Sequence, residues 1–92
     1  DGNIVVMGDV NPGSEVCATG DIVVFGSLRG VAYAGANGKH DARVVALRLM
    51  PTQLRIADRI ARSPDGEVQA PLSPEAAFLR DGAIVIEPWT TH

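Results

Sequence analysis

The feature that most constrains this chain is the stretch from Asp1 to Gly38, within which the sequence repeats itself. Gly2-Asn3-Ile4-Val5-Val6-Met7-Gly8 lines up with Gly20-Asp21-Ile22-Val23-Val24-Phe25-Gly26, and Val10, Val16 and Gly20 then line up with Leu28, Ala34 and Gly38. A fixed period of this size marks a stack of similar chain passages that share a core. Within each period the aliphatic positions recur every six residues, at Ile4, Val10, Val16, Ile22, Leu28 and Ala34. Three short strands per turn around one apolar interior make a parallel β-helix, a three-sided solenoid of about three to four short coils. The fold class expected is therefore all-β.

The spacing also sets the order of the sides. Asn3 to Met7 forms the first side, Val10 centres the second, the Asn11-Pro12-Gly13 turn follows, and Ser14 to Ala18 forms the third with Val16 inward. Gly35 to Asp41 interrupts the six-residue step as a loop, and the step resumes at Val44, Met50 and Ile56. Two closing strands are expected, near Ala76 to Leu79 and Ala83 to Glu87. The second, with Asp81-Gly82-Ala83-Ile84-Val85-Ile86, restates the opening motif and is expected to stack as a fourth rung, followed by a frayed tail from Trp89 to His92. The whole of residues 1–92 reads as a single domain, and its abrupt start on a strand suggests a domain cut from a longer protein.

Parity then assigns the surfaces, because side chains alternate across a strand. With Ile4, Val6, Ile22, Val24, Val44, Ala46, Ile84 and Ile86 inward, the first side turns Val5, Met7, Val23, Phe25, Val45, Leu47 and Val85 outward. Seven apolar side chains on one flat face call for a covering partner. A homodimer with two-fold symmetry is the expected solution, and the alternative is a lid formed by the Arg62 to Pro74 segment. The same repeat offset lines up Glu15 and Tyr33, with Arg55 from the third coil, as a polar row on the third side. Such a row is either a recognition patch or a solvated face with a weak ion pair.

Composition narrows the functional classes. A net charge of −3, with eight Lys and Arg spread singly, provides no basic stripe for nucleic acid, and no apolar run approaches a membrane span. The lone Cys17 has no disulfide partner within the chain, which fits a reducing cytoplasm. His40 and His92 have no ligand set at metal spacing, and Ser14, Ser27, Ser63 and Ser73 lack a nucleophile elbow. The Gly35-Ala36-Asn37-Gly38 loop lacks the Lys-Ser/Thr of a phosphate-binding loop. No catalytic residue, cofactor or metal is assigned. One enzymatic alternative remains, a hexapeptide-repeat acyltransferase with His40 on its extruded loop. That pattern favours Gly, Ala, Asp or Glu after each aliphatic position, and of Val5, Asn11, Cys17, Val23, Arg29 and Gly35 only Gly35 fits.

Taken together, Gly8-Asp9-Val10-Asn11-Pro12-Gly13-Ser14-Glu15-Val16, Gly26-Ser27-Leu28-Arg29-Gly30, Ala34-Gly35-Ala36-Asn37-Gly38 and Pro51-Thr52-Gln53-Leu54-Arg55-Ile56-Ala57 closely resemble the C-terminal domain of the MinC family of bacterial septum site-determining proteins. The resemblance runs through Ile86-Glu87-Pro88. It implies a right-handed β-helix, not an enzyme, that forms homodimers, binds the membrane-associated ATPase MinD and helps block FtsZ assembly away from midcell. It further implies a cytoplasmic protein recruited to the inner face of the plasma membrane through MinD. In the family the chief FtsZ-inhibiting domain is N-terminal to this one, and the Arg-Ser-Gly motif for MinD would fall just before Asp1. Glu15 matches a position implicated in MinD binding, so Glu15, Tyr33 and Arg55 are the candidate contacts. The basic residue that some relatives carry after the Leu-Arg-Gly turn is Val31 here, which assigns FtsZ mainly to the N-terminal domain.

Overall fold

The computed structural model describes residues 2–62 and 73–89. It is all-β, with nine strands among these residues: β1 (Ile4–Val6), β2 (Glu15–Cys17), β3 (Ile22–Leu28), β4 (Val31–Ala34), β5 (Val44–Leu49), β6 (Gln53–Ile56), β7 (Arg59–Arg62), β8 (Glu75–Arg80) and β9 (Ala83–Pro88). They form a five-stranded sheet in the order β1-β3-β5-β8-β9 and a four-stranded sheet in the order β2-β4-β6-β7. The chain alternates between the sheets through β6, so β1, β3 and β5 pair in parallel, as do β2, β4 and β6. The expected second side is reduced to the far ends of β3 and β5 and an isolated parallel bridge between Val10 and Leu28.

The register follows the repeat on the first side. Ile4, Ile22 and Val44 are successive partners, as are Val5, Val23 and Val45. Ile22, Val24, Leu28, Val44, Leu54 and Ile56 are the largest fully buried side chains, and one apolar cluster joins both sheets. Polar side chains stitch the corners, where strand pairing lapses. Asn3 Oδ1 accepts from the Asp21 N–H at 2.8 Å, Asp21 Oδ1 from the Arg43 N–H at 2.9 Å, and Asp9 Oδ1 from the Ser27 N–H at 2.7 Å. Each bond satisfies a backbone donor that the ladder cannot reach.

The structure corrects three expectations. On the third side Val16 pairs with Ala32, where the repeat had aligned it with Ala34, so this step is two positions short. Four residues connect Val10 to Glu15 but only two connect Leu28 to Val31, and the first corner absorbs the difference. In the third passage the second-side core position is Leu49, 5% exposed, and not Met50. A register shift between Val24 and Ser27 sets Phe25 and Gly26 against Leu47 alone, so Leu28 meets Leu49.

The third correction concerns the C-terminal strands, where the sheets become mixed. β7 folds back antiparallel on β6, and β8 pairs antiparallel with both β5 and β9. β9 therefore does not stack on β5 as a fourth rung. Asp81 and Gly82, at φ 53° and 80°, form the two-residue turn between Arg80 and Ala83, and an Asp-Gly pair suits such a turn because both central residues need positive φ. A Cβ at Gly82 would meet only the Arg59 guanidinium, at 3.6 Å or more. Gly82→Ala therefore costs backbone strain alone, about 1 kcal/mol, and is expected to lower Tm by about 4–8 °C in a thermal melt. An unchanged Tm would mean that this hairpin does not contribute to stability.

Trp89 is less free than a frayed tail would be, since its N–H donates to the Pro74 carbonyl at 2.9 Å. The proposed lid between Arg62 and Pro74 lies, across residues 63–72, outside the described residues, as do Ser63 and His92.

Candidate functional site

The outer face of the five-stranded sheet is built on the register row Val5, Val23, Val45 and Ala76. Met7 is 81% exposed, Val5 56%, Phe25 49% and Leu47 44%. Val23 and Val85 are half-buried, and Val45 is buried because it stands mid-sheet with Val23 and Ala76 as flanking partners. Phe78, opposite Val85, joins the same face and was not among the sequence candidates. The alternation of Ala76, Phe78 and Arg80 would have placed it there. Arg80 closes this border, paired with Glu87 at 2.9 Å and lying 5.1 Å from the Phe78 ring centroid. At about 25 cal/mol per Å² of apolar area, covering a few hundred Å² of this face is worth several kcal/mol.

The outer face of the four-stranded sheet carries two rows. One contains Cys17, Tyr33, Arg55 and Ile60, and the other Glu15, Val31, Gln53 and Arg62. The straight row of Glu15, Tyr33 and Arg55 expected from the repeat offset is thus split, because the third side steps two positions short of it. Tyr33 and Arg55 are brought together, with the guanidinium 4.3 Å from the ring centroid, while Glu15 falls in the neighbouring row. Two strand spacings across and two residues along the strand, about 12 Å, separate the Glu15 and Arg55 backbones, and no ion pair joins their side chains. The Tyr33 hydroxyl donates to the Ala36 carbonyl at 3.4 Å. Arg55 Nε is buried with no hydrogen-bond partner, a local cost on the order of 1–3 kcal/mol. Cys17 is a free, exposed thiol.

The loop histidine has a structural setting. His40 Nε2 lies 3.2 Å from Asp58 Oδ1, and Arg59 Nε lies 3.8 Å from the same oxygen. A backbone hydrogen bond in the β6–β7 turn and then His40 hold the exposed Asp58 carboxyl below its usual range. The pair ties the 35–41 loop to that turn. Among the described residues no three His, Cys, Asp or Glu side chains cluster as a metal site would require. No helix in them is long and apolar enough to cross a membrane.

Comparison with known proteins bears on what such faces serve. The family model for the septum formation inhibitor MinC, C-terminal domain, matches residues 1–89. The probable septum site-determining protein MinC of Acetivibrio thermocellus is 60% identical over 88 residues, covering 95% of this chain and 39% of that protein. The corresponding protein of Heliobacterium modesticaldum is 57% identical over 86 residues, covering 94% and 30%. The chain thus spans little more than a third of these relatives at most. Among solved structures, a chain of the MinC:MinD cell division protein complex of Aquifex aeolicus superposes with a TM-score of 0.92 at 42% identity, over 99% of this chain and 75% of that one.

Proposed function

Because the chain belongs to the MinC family as its C-terminal domain, we propose that it is a non-enzymatic adaptor of division-site selection, which homodimerises and binds MinD. The observation that carries this reading is the set of exposed apolar side chains Val5, Met7, Phe25 and Leu47 on the outer face of the five-stranded sheet. A self-complementary two-fold contact suits it, and Val23, Val45 and Val85 complete the face. The outer face of the other sheet, with Glu15, Tyr33 and Arg55, is the candidate MinD surface. Its support is the 42% identity to a chain from a MinC:MinD complex.

The parallel pairing of β1 to β6, each strand with the equivalent strand of the next passage, supports a β-helix of one domain over residues 1–92, ended by antiparallel hairpins, and its right hand is inferred from the family. Inhibition of FtsZ is assigned mainly to an N-terminal domain of the longer protein, and membrane contact to MinD, which recruits it from the cytoplasm to the inner face of the plasma membrane. The acyltransferase alternative gives way to the family assignment, and His40 has a structural partner in Asp58.

Light scattering tests the reading in two steps. The chain alone is expected at the mass of a dimer, and a monomeric mass would overturn the self-association. Adding MinD with ATP is expected to give a heavier complex that does not form with ADP. Equal masses with the two nucleotides would overturn the MinD assignment.

A further inference from the structure

We infer that Arg55, laid flat on Tyr33, is the anchor for an acidic side chain of the protein that docks on the outer face of the four-stranded sheet. This rests on the reading that MinD occupies that face, and adds the chemistry of the contact. An arginine stacked on an aromatic ring keeps its planar fork in a fixed orientation, ready for a carboxylate. Here the ring itself is held, since the Tyr33 hydroxyl donates to the Ala36 carbonyl.

The guanidinium is also unclaimed. Arg43, Arg59 and Arg80 each pair with a carboxylate, whereas Arg55 forms no hydrogen bond or ion pair among the described residues, and its Nε is shut away from water without an acceptor. Glu15, the one carboxylate in these two rows, stands two strands away from it. Among the described residues the face therefore sets Arg55 and Arg62 against a single carboxylate, in a chain whose net charge is −3. Charge complementarity on this face asks for an acid. Ile60, 53% exposed and opposite Arg55 on β7, adds an apolar shoulder. Tyrosine and arginine beside an exposed aliphatic residue is the composition of an interface anchor.

The experiment measures binding of ATP-loaded MinD to the chain and to Arg55→Met, Arg55→Lys, Tyr33→Phe, Tyr33→Leu and Glu15→Ala variants, each checked by thermal melt. Arg55→Met and Arg55→Lys are each expected to weaken binding about tenfold or more, because lysine keeps the charge but neither the stack nor the fork. Tyr33→Phe, which keeps the ring, should bind like the parent, and Tyr33→Leu should be weaker. The parent's affinity should fall with salt more steeply than that of Arg55→Met. If Arg55→Met loses its fold, Arg55→Lys decides. Parent-like binding by the Arg55 variants with weakened binding by Glu15→Ala overturns the anchor and leaves the MinD surface in place. Parent-like binding by all five variants overturns both.

Discussion

Met7→Asp combined with Phe25→Asp is expected to turn the proposed dimer into a folded monomer. The two side chains are 81% and 49% exposed in the single chain, so replacing them removes little that holds the monomer together. In a two-fold contact each substitution acts twice. Full burial of a large apolar side chain is worth about 1.5–3 kcal/mol, and the four introduced carboxylates would have to be desolvated near one another. The dimer constant should weaken by at least about a hundredfold, read by sedimentation equilibrium, while Tm of the dilute monomer stays near that of the parent. An intact dimer would exclude this sheet as the interface.

A large stability loss is expected from Gly30→Ala. A Cβ at Gly30 would overlap the Ser14 carbonyl oxygen and stand 2.6 Å from the Asn11 carbonyl oxygen. Neither atom can step aside cheaply. The Ser14 carbonyl accepts the Val31 N–H at 2.9 Å, the Asn11 carbonyl accepts the Ser14 N–H at 3.0 Å, and on the other side the Gly30 carbonyl accepts the Thr52 N–H at 3.0 Å. The corner is thus clamped between its neighbours, and one methyl group forces whole turns apart. Overpacking of this kind costs about 3 kcal/mol, which for a domain of this size is a fall in Tm of about 12–24 °C. A fall below about 4 °C would mean that the stacked corners part easily.

How far the sequence carries depends on the element. On the first side, Ile4 and Val5 against Ile22 and Val23 are legible because period and parity agree, and no insertion separates them. The same period misleads on the third side. Its register is set by the length of the preceding corner, and nothing in Asn11-Pro12-Gly13 announces that the next corner is two residues shorter. That hidden step takes Glu15 out of the row, since a strict repeat pairs Tyr33 with Glu15 instead of Cys17, whereas Tyr33 against Arg55 follows from the alignment of Ala34 with Ile56 and was legible. The C-terminal hairpin was legible by another signal. Asp81-Gly82 between two apolar runs is a strong hairpin mark, but its likeness to Asp1-Gly2 drew it into the repeat. Leu49 was obscured by a bulge that depends on how Phe25 and Gly26 pack against the neighbouring strand.

The antiparallel strands at one end of the stack also fix an order of events during synthesis. β1 has no partner until the chain has gone once around to β3, and β2 waits through the whole of β3 for β4. β7 and β9, by contrast, can each close on the strand just before, across two residues. Distant pairings are slow to form because the intervening chain must first be brought together, while tight hairpins close in microseconds. While this domain is being made, its aliphatic strands β1 and β2 therefore stay exposed longest, and any chaperone that attends it has most to shield there.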